Sequence, residues 1–166
     1  MGSRIEGDVH YAGNVSFGAT VNLPPASVTA ANIQSAAGIE ATKQQSRLRP
    51  IVMNGTDSGD VSVDETKVIH VARASGTIQG FRAGAVGPCT GDSTVDVDLT
   101  KNGTTVLSAA IQLDNTQAAY VLVEGTIGSP AIVAGDVLEV SFDATVGTGT
   151  LATGVFAQLV IDESPQ

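Results

Sequence analysis

Residues 94–107 read TVDVDLTKNGTTVL, and they contain the strongest hairpin signal in the chain. Its first half alternates between apolar and acidic side chains, which predicts a β-strand with one buried and one solvated face. The alternating residues are Val95, Asp96, Val97, Asp98 and Leu99. The Asn102-Gly103 pair that follows is strongly favoured at the two central positions of a β-hairpin turn. We therefore expect two antiparallel strands joined at Asn102 and Gly103.

Similar segments recur on both sides of this hairpin. Strands are predicted at residues 51–54, 67–74, 76–85, 94–100, 105–108, 110–113, 118–125, 137–145 and 151–162. Turns rich in Gly, Asn, Asp and Pro separate these strands, and no helical pattern lies between them. Eight or so antiparallel strands in succession predict an all-β fold, an antiparallel β-sandwich of the jelly-roll type.

Two of the predicted strands, 118–125 and 151–162, are apolar on both faces. In the second, Phe156 and Val160 lie on the face opposite to the other apolar side chains. A strand buried on both sides needs a second covering layer in so small a sandwich. That layer is either the N-terminal part of the chain or a neighbouring subunit around a symmetry axis, which favours an oligomer.

The first 50 residues differ from the rest, and we divide the chain into an extended N-terminal arm, residues 1–50, and a β-sandwich domain, residues 51–166. Residues 4–23 alternate loosely and need a sheet edge to pair with, in this chain or in another one. A short helix is predicted at residues 30–37, with Thr29 as its N-cap. A helix of this length is not stable alone, so it must dock on a partner surface.

The charge is unevenly distributed over these two parts. The chain has 166 residues and a net charge of −9. Residues 1–50 carry four basic and three acidic side chains, whereas residues 51–166 carry four basic and fourteen acidic ones. The acidic body disfavours nucleic acid as a partner, because phosphate contacts need Lys and Arg. The near-neutral arm indicates that the arm touches something the body does not, unless the charge serves solubility alone.

The sequence lacks the residues and motifs of most metal-binding and catalytic sites. Cys89 is the single cysteine, and His10 and His70 are the two histidines, so neither a disulfide nor a Cys-based zinc site is expected. No nucleophile elbow, P-loop or dinucleotide-binding fingerprint occurs. We expect no enzymatic activity and no cofactor. The N-terminus shows no apolar signal-peptide core and the chain has no run of about 18 apolar residues, so no membrane partner is expected.

Four aspartates suggest calcium, but their pattern does not support a site. They are Asp92, Asp96, Asp98 and Asp136. A calcium site needs six to eight oxygens that converge, typically from a loop such as D-x-D-x-D-G, which is lacking here. We interpret Asp96 and Asp98 as a solvated strand face.

Two stretches resemble structural proteins of tailed bacteriophages. Residues 13–21, 23–33 and 37–43 read GNVSFGATV, LPPASVTAANI and AGIEATK, and this series is similar to the linkers of phage fibre and capsid-associated proteins. Residues 97–103, VDLTKNG, resemble a motif in the jelly-roll domains of phage head-decoration and fibre proteins. This chain lacks the glycine that many relatives carry at Pro25–Ser27 and the usual leucine after Lys43.

The resemblance implies a capsid decoration, or cement, protein. Such a protein would be made in the host cytoplasm, assemble as a homotrimer and bind the major capsid protein on the virion surface. The arm residues expected to contact the capsid are Tyr11, Val15, Phe17, Val28, Ile33 and Ile39, with Arg47 and Arg49 facing acidic shell loops. The alternative is a phage fibre or receptor-binding knob that recognises host surface glycans. The low aromatic content, 4% with no Trp, disfavours that alternative.

Overall fold

The computed structural model describes residues 46–163, and in this range every regular element is a β-strand. The strands are β1 (Ser46–Leu48), β2 (Ile51–Met53), β3 (Glu65–Val71), β4 (Gly76–Gly87), β5 (Thr94–Lys101), β6 (Thr104–Thr105), β7 (Ile111–Leu113), β8 (Val123–Gly125), β9 (Ala131–Ile132), β10 (Val137–Thr145) and β11 (Thr153–Glu163). The all-β prediction is therefore confirmed for this part of the chain. The predicted helix at 30–37 and the strand at 4–23 lie outside the described residues.

The strands form two antiparallel sheets. The first sheet has the order β1-β11-β4-β8, with β2 also paired to β11 and β9 also paired to β4. The second sheet has the order β3-β10-β5-β6, with β7 also paired to β5. Both sheets contribute to one hydrophobic core, as expected of a β-sandwich. From the first sheet come Phe81 and Leu159, and from the second come Leu99 and Val140, all fully buried.

The alternation predicted at residues 95–99 is realised in β5 and in its neighbour β10. Val97 and Leu99 are fully buried, while Asp96 and Asp98 between them are partly exposed. Leu99 lies opposite Val140, so the inward faces of the two strands coincide. The hydrophobic effect thus holds the second sheet on the first through this one face.

Other strand predictions need correction. Residues 118–122 are not a strand; only Val123–Gly125 of that predicted segment is. Tyr120 has a φ of 63°, a left-handed conformation that breaks extended structure, and its N–H donates to the carbonyl of Ala85. The expected burial on both faces is therefore wrong there, because Tyr120 and Val121 are 72% and 51% exposed. The short strands β1 and β9 were missed.

The predicted hairpin turn is confirmed and does more than reverse the chain. Asn102 and Gly103 have φ values of 51° and 78°, as a two-residue turn with both central residues left-handed requires. The Asn102 side chain accepts the N–H of Val137 at 2.9 Å and donates to the Asp136 carboxylate at 2.8 Å. Asp136 also accepts the N–H of Val133 at 2.9 Å. The β5–β6 turn is thereby tied to the turn that precedes β10.

Inward-pointing polar side chains close the open edge of the sandwich at β3. Lys67 Nζ donates to the carbonyls of Met53 and Gly55, both at 2.7 Å. Farther along β3, His70 Nε2 lies 2.6 Å from the Glu163 carboxylate at the end of β11. These contacts join the edge strand of the second sheet to the first sheet. Inward charges on an edge strand also oppose pairing with a foreign strand.

The link between the two turns predicts an acid-sensitive contribution to stability from Asp136. Hydrogen bonds from the Val133 N–H and the Asn102 amide hold the pKa of the Asp136 carboxyl below its ordinary value. A group with a lowered folded pKa stabilises the fold above its unfolded pKa of about 3.9, and this contribution disappears as the pH falls through the folded pKa. We expect Asp136→Asn to show a smaller loss of stability between pH 6 and pH 3 than the unmodified chain, measured by urea unfolding.

Asp143→Asn is the matched control, because this exposed carboxylate on β10 makes no hydrogen bond within residues 46–163. Its acid-dependent loss of stability should equal that of the unmodified chain. Equal acid dependence in all three proteins would contradict the role assigned to the two turns.

Candidate functional site

The outer face of the first sheet forms a trough along the pairing of β4 with β11. The side chains of β11 that point away from the core lie opposite residues of β4 in three direct cross-strand pairs. These pairs are Phe156–Gly84, Gln158–Arg82 and Val160–Gly80. Because two of the three β4 positions are glycines, the strip between the flanking side chains is low, and neighbouring groups pack into it.

A cavity of about 340 Å³ lies at the end of this trough where Val160 pairs with Gly80. Its lining consists of Arg47, Arg49, Gln79, Gly80, Arg82, Gln158 and Val160, and we call it the arginine groove. Gln79 reaches the groove through a register shift in the pairing of β4 and β11, where Val160 lies opposite Gly80 but Ile161 lies opposite Ile78. Such an extra residue in one strand redirects a side chain. The lining itself contains three arginines and no carboxylate, and within residues 46–163 only two carboxylates, Asp162 and Glu124, contact these arginines, so the groove suits an anion.

Arg47 is held in a fixed position at one end of the arginine groove. Its Nε lies 2.8 Å from one carboxylate oxygen of Asp162 and its Nη2 lies 3.1 Å from the other, a two-point contact between β1 and β11. Asp162 is 8% exposed and Arg47 55% exposed as side chains. The hydrogen bonds from Arg47 lower the pKa of the Asp162 carboxyl and raise that of the guanidinium.

The other two arginines of the groove are only weakly engaged. Within residues 46–163, no hydrogen bond or ion pair involves Arg49, which is exposed. Arg82 lies 3.7 Å from the Glu124 carboxylate, with side chains 45% and 65% exposed. An exposed ion pair of this kind contributes little to stability. Arg49 and Arg82 are therefore available to an incoming anion.

The structure brings together two of the residues predicted from sequence and adds others. Arg47 and Arg49, expected to face an acidic partner, share the groove. Arg82 was missed, because its position beside them depends on the pairing of β4 with β11, which the sequence does not specify. The other predicted contact residues, Tyr11, Val15, Phe17, Val28, Ile33 and Ile39, lie outside the described residues.

An exposed apolar ridge lies at the opposite end of the trough, next to Gly84. It consists of Tyr120, Val121 and Leu122, which are 72%, 51% and 40% exposed. A Cβ atom on residue 84 would lie 2.8 Å from the Val121 carbonyl and 3.4 Å from both Leu122 Cδ2 and Phe156 Cζ. The ridge therefore packs closely over Gly84, which the side chains of Leu122 and Phe156 both border. One face thus combines an apolar end with an arginine-lined end.

The outer face of the second sheet has the opposite character. It carries Asp96 and Asp98 on β5 and Glu139 and Asp143 on β10, with Asp143 directly opposite Asp96. Asp98 accepts the hydroxyl of Thr105 at 2.7 Å, and the amide of Gln112 donates to Asp96 at 3.0 Å. The two outer faces of the protein therefore differ in charge.

The aspartates considered for calcium are not gathered into one site. Asp92 accepts bonds from Thr148, whereas Asp136 is bound to Asn102. Between residues 46 and 163, no group of three or more His, Cys, Asp or Glu side chains is arranged to hold a metal ion. Cys89 is 2% exposed, and burial raises the pKa of its thiol. His70 is mostly buried beside Glu163.

Comparison with known proteins does not place this chain in a family: no protein-family model matches it, and no curated protein matches it significantly. Within residues 46–163, no helix has the length and apolar character needed to cross a membrane. The function is therefore inferred from the arginine groove and the apolar ridge themselves.

The close packing of the apolar ridge predicts different effects of two similar substitutions. In Gly84→Ala the new methyl group would press on the Val121 carbonyl at 2.8 Å, so the ridge must move. We expect a loss of about 1–3 kcal/mol in the free energy of unfolding. We also expect faster hydrogen exchange at the Tyr120 amide, whose bond to Ala85 depends on the ridge position.

Gly80→Ala is the matched control in the same strand and on the same face. There the nearest atom to a new Cβ is Glu124 Oε1 at 3.8 Å, an ordinary contact. Exchange at Tyr120 should stay unchanged in this variant. Equal exchange in the two variants would show that the ridge does not rest on Gly84.

Proposed function

We propose that this chain is a structural protein of a bacteriophage virion, a decoration protein that binds the capsid exterior and stabilises the shell. In this proposal, residues 1–50 and the outer face of the first sheet contact the major capsid protein, and a jelly-roll-like sandwich forms the body. The observation that carries the proposal is the concentration of arginines on one face of an acidic protein. Residues 46–163 contain six basic side chains, namely Arg47, Arg49, Lys67, Arg73, Arg82 and Lys101, and three of them line the groove.

The position of the groove in the sequence supports a role next to the N-terminal segment. Arg47 and Arg49 come soon after the stretch 23–43, whose segments 23–33 and 37–43 resemble phage linkers. A partner that engages that stretch would meet these two arginines next along the chain. The acidic outer face of the second sheet, with Asp96, Asp143 and their neighbours, would repel an acidic shell and stay turned to solvent.

Binding of this kind stabilises a shell by mass action. A ligand that binds only the assembled capsid shifts the equilibrium away from disassembly by RT ln(1 + [L]/Kd). A protein that contacts several capsid subunits at once also gains from effective concentration. The resemblance to phage proteins predicts a homotrimer, and three linked copies would multiply the contacts per particle.

The capsid-binding proposal predicts a charge-dependent interaction. We expect the full chain to cosediment with expanded capsids of the phage that encodes it, after removal of the resident copies. Arg49→Glu with Arg82→Glu should weaken this binding at least about ten-fold, because two attractions become repulsions in the groove. Lys101→Glu, an equal change per site whose amine contacts the Ala131 carbonyl away from the groove, should bind like the unmodified chain. Unchanged capsid binding by the double variant would remove the groove from the interface.

A second candidate is a fibre or receptor-binding knob that recognises host surface glycans. The observation that favours it is Tyr120, because an aromatic ring that is 72% exposed offers a flat apolar surface to a sugar. This function predicts that the full chain binds host cells and that Tyr120→Ala abolishes the binding. Cell binding that persists in Tyr120→Ala, or no cell binding at all, would contradict this candidate.

A further inference from the structure

We propose that the outer face of the first sheet binds an extended acidic segment of a partner protein, with one carboxylate in the arginine groove and one apolar side chain against Phe156 and Leu122. This inference deepens the proposed function, on which it rests for the biological source of the segment. It specifies the chemistry of the partner and the spacing of two of its residues. The composition of the surface alone indicates only that it suits an anion.

The arginine groove provides the donors for a carboxylate. Arg guanidinium groups bind carboxylates through two parallel hydrogen bonds, which fixes orientation as well as charge. Arg49 has no partner within the described residues, and Arg82 has only the distant contact with Glu124. The amides of Gln79 and Gln158 lie in the same lining and can donate further hydrogen bonds. Arg47 is already paired with Asp162, so Arg49 and Arg82 are the guanidinium groups open to the carboxylate.

The floor of the trough suits an extended chain. Gly80 carries no side chain and lines the arginine groove, so a peptide can approach β4 at that end, whereas at Gly84 the peptide would lie on the covering Leu122 and Phe156 side chains. Nucleic acid fits poorly, because fourteen carboxylates between residues 51 and 166 would repel a phosphate backbone. A short stretch of protein with a local carboxylate avoids most of that repulsion.

The spacing of the two ends of the trough defines the segment further. Phe156 and Val160 lie four residues apart on β11 and mark the apolar and the arginine-lined end. In an extended chain that distance is about 13 Å, and residues i and i+4 point to the same side. A segment that runs along the strands must therefore carry an acidic residue four positions from an apolar one, in either order. The residue halfway between them must be small, because Gln158 and Arg82 occupy that level.

Peptide binding to the full-length chain tests this inference without capsids. Three fluorescent nonapeptides of Thr and Ser are compared by anisotropy at low salt. The first carries Glu and Leu four positions apart, the second carries them three apart, and the third has Gln in place of Glu. We expect the first to bind at least about five-fold more tightly than the other two, the effect of roughly one exposed charge contact.

Substitutions on the protein assign that binding to the trough. Arg49→Gln with Arg82→Gln should weaken binding of the first peptide about five-fold or more and remove its advantage over the Gln peptide. Leu122→Ala should remove its advantage over the peptide with the shorter spacing. Lys101→Gln, which lowers the charge outside the groove, should change neither comparison. Each comparison is made between peptides on the same protein variant, so a general loss of stability would not produce the same result.

Several outcomes would overturn the inference. Equal binding of the three peptides would mean that the surface distinguishes neither the charge of a peptide nor the spacing of its Glu and Leu. Tighter binding of a single-stranded oligonucleotide than of the first peptide would assign the groove to phosphates. Self-association that depends on Arg49 and Arg82 and excludes the peptide would make a second copy the occupant. Peptide binding together with absent capsid binding would instead keep this inference and overturn the proposed function.

Discussion

The antiparallel pairing of β4 with β11 fixes both the core beneath the first sheet and the groove on its outer side. Its register places Phe81 opposite Leu159 on the inner side, where both are fully buried. The same register places Arg82 and Gln158 side by side on the outer side. Because side chains alternate with a period of two, a slip by one residue would expose the core and bury the arginine. The stability of the core therefore enforces the geometry of the groove.

The register shift in this pair adds a local refinement. Without the extra residue Gln79, Ile78 and Gly80 would not both find their present partners on β11. With it, Ile78 stays in the core at 2% exposure while Gly80 stays on the outer face. The register shift therefore suits both the inner and the outer face of the sheet. It places an amide beside the arginines and leaves the hydrophobic layer below intact.

The sequence predicted those features that depend on neighbours in the chain. The strand around Val97 and the turn at Asn102 could be predicted because alternation and turn chemistry are local properties. The segment 118–122 was misjudged because apolar composition alone does not distinguish a buried strand from an exposed loop, and the left-handed Tyr120 leaves no compositional trace. The groove could be predicted only in part. Arg47 and Arg49 are close in sequence, whereas Arg82 joins them through strand pairing at long range.

The strength of any interaction on this face depends on the combination of its two ends. A single exposed ion pair contributes at most about 1 kcal/mol and weakens with salt. Three arginines alone would therefore bind acidic molecules weakly and without selectivity. An apolar contact at Leu122 would add a contribution that salt does not screen, and requiring it together with a carboxylate at Arg49 and Arg82 would select for the spacing of the two groups. Phe156 and Arg82 lie on paired strands whose inner faces belong to the core, so the sheet positions one group at each end before any partner arrives.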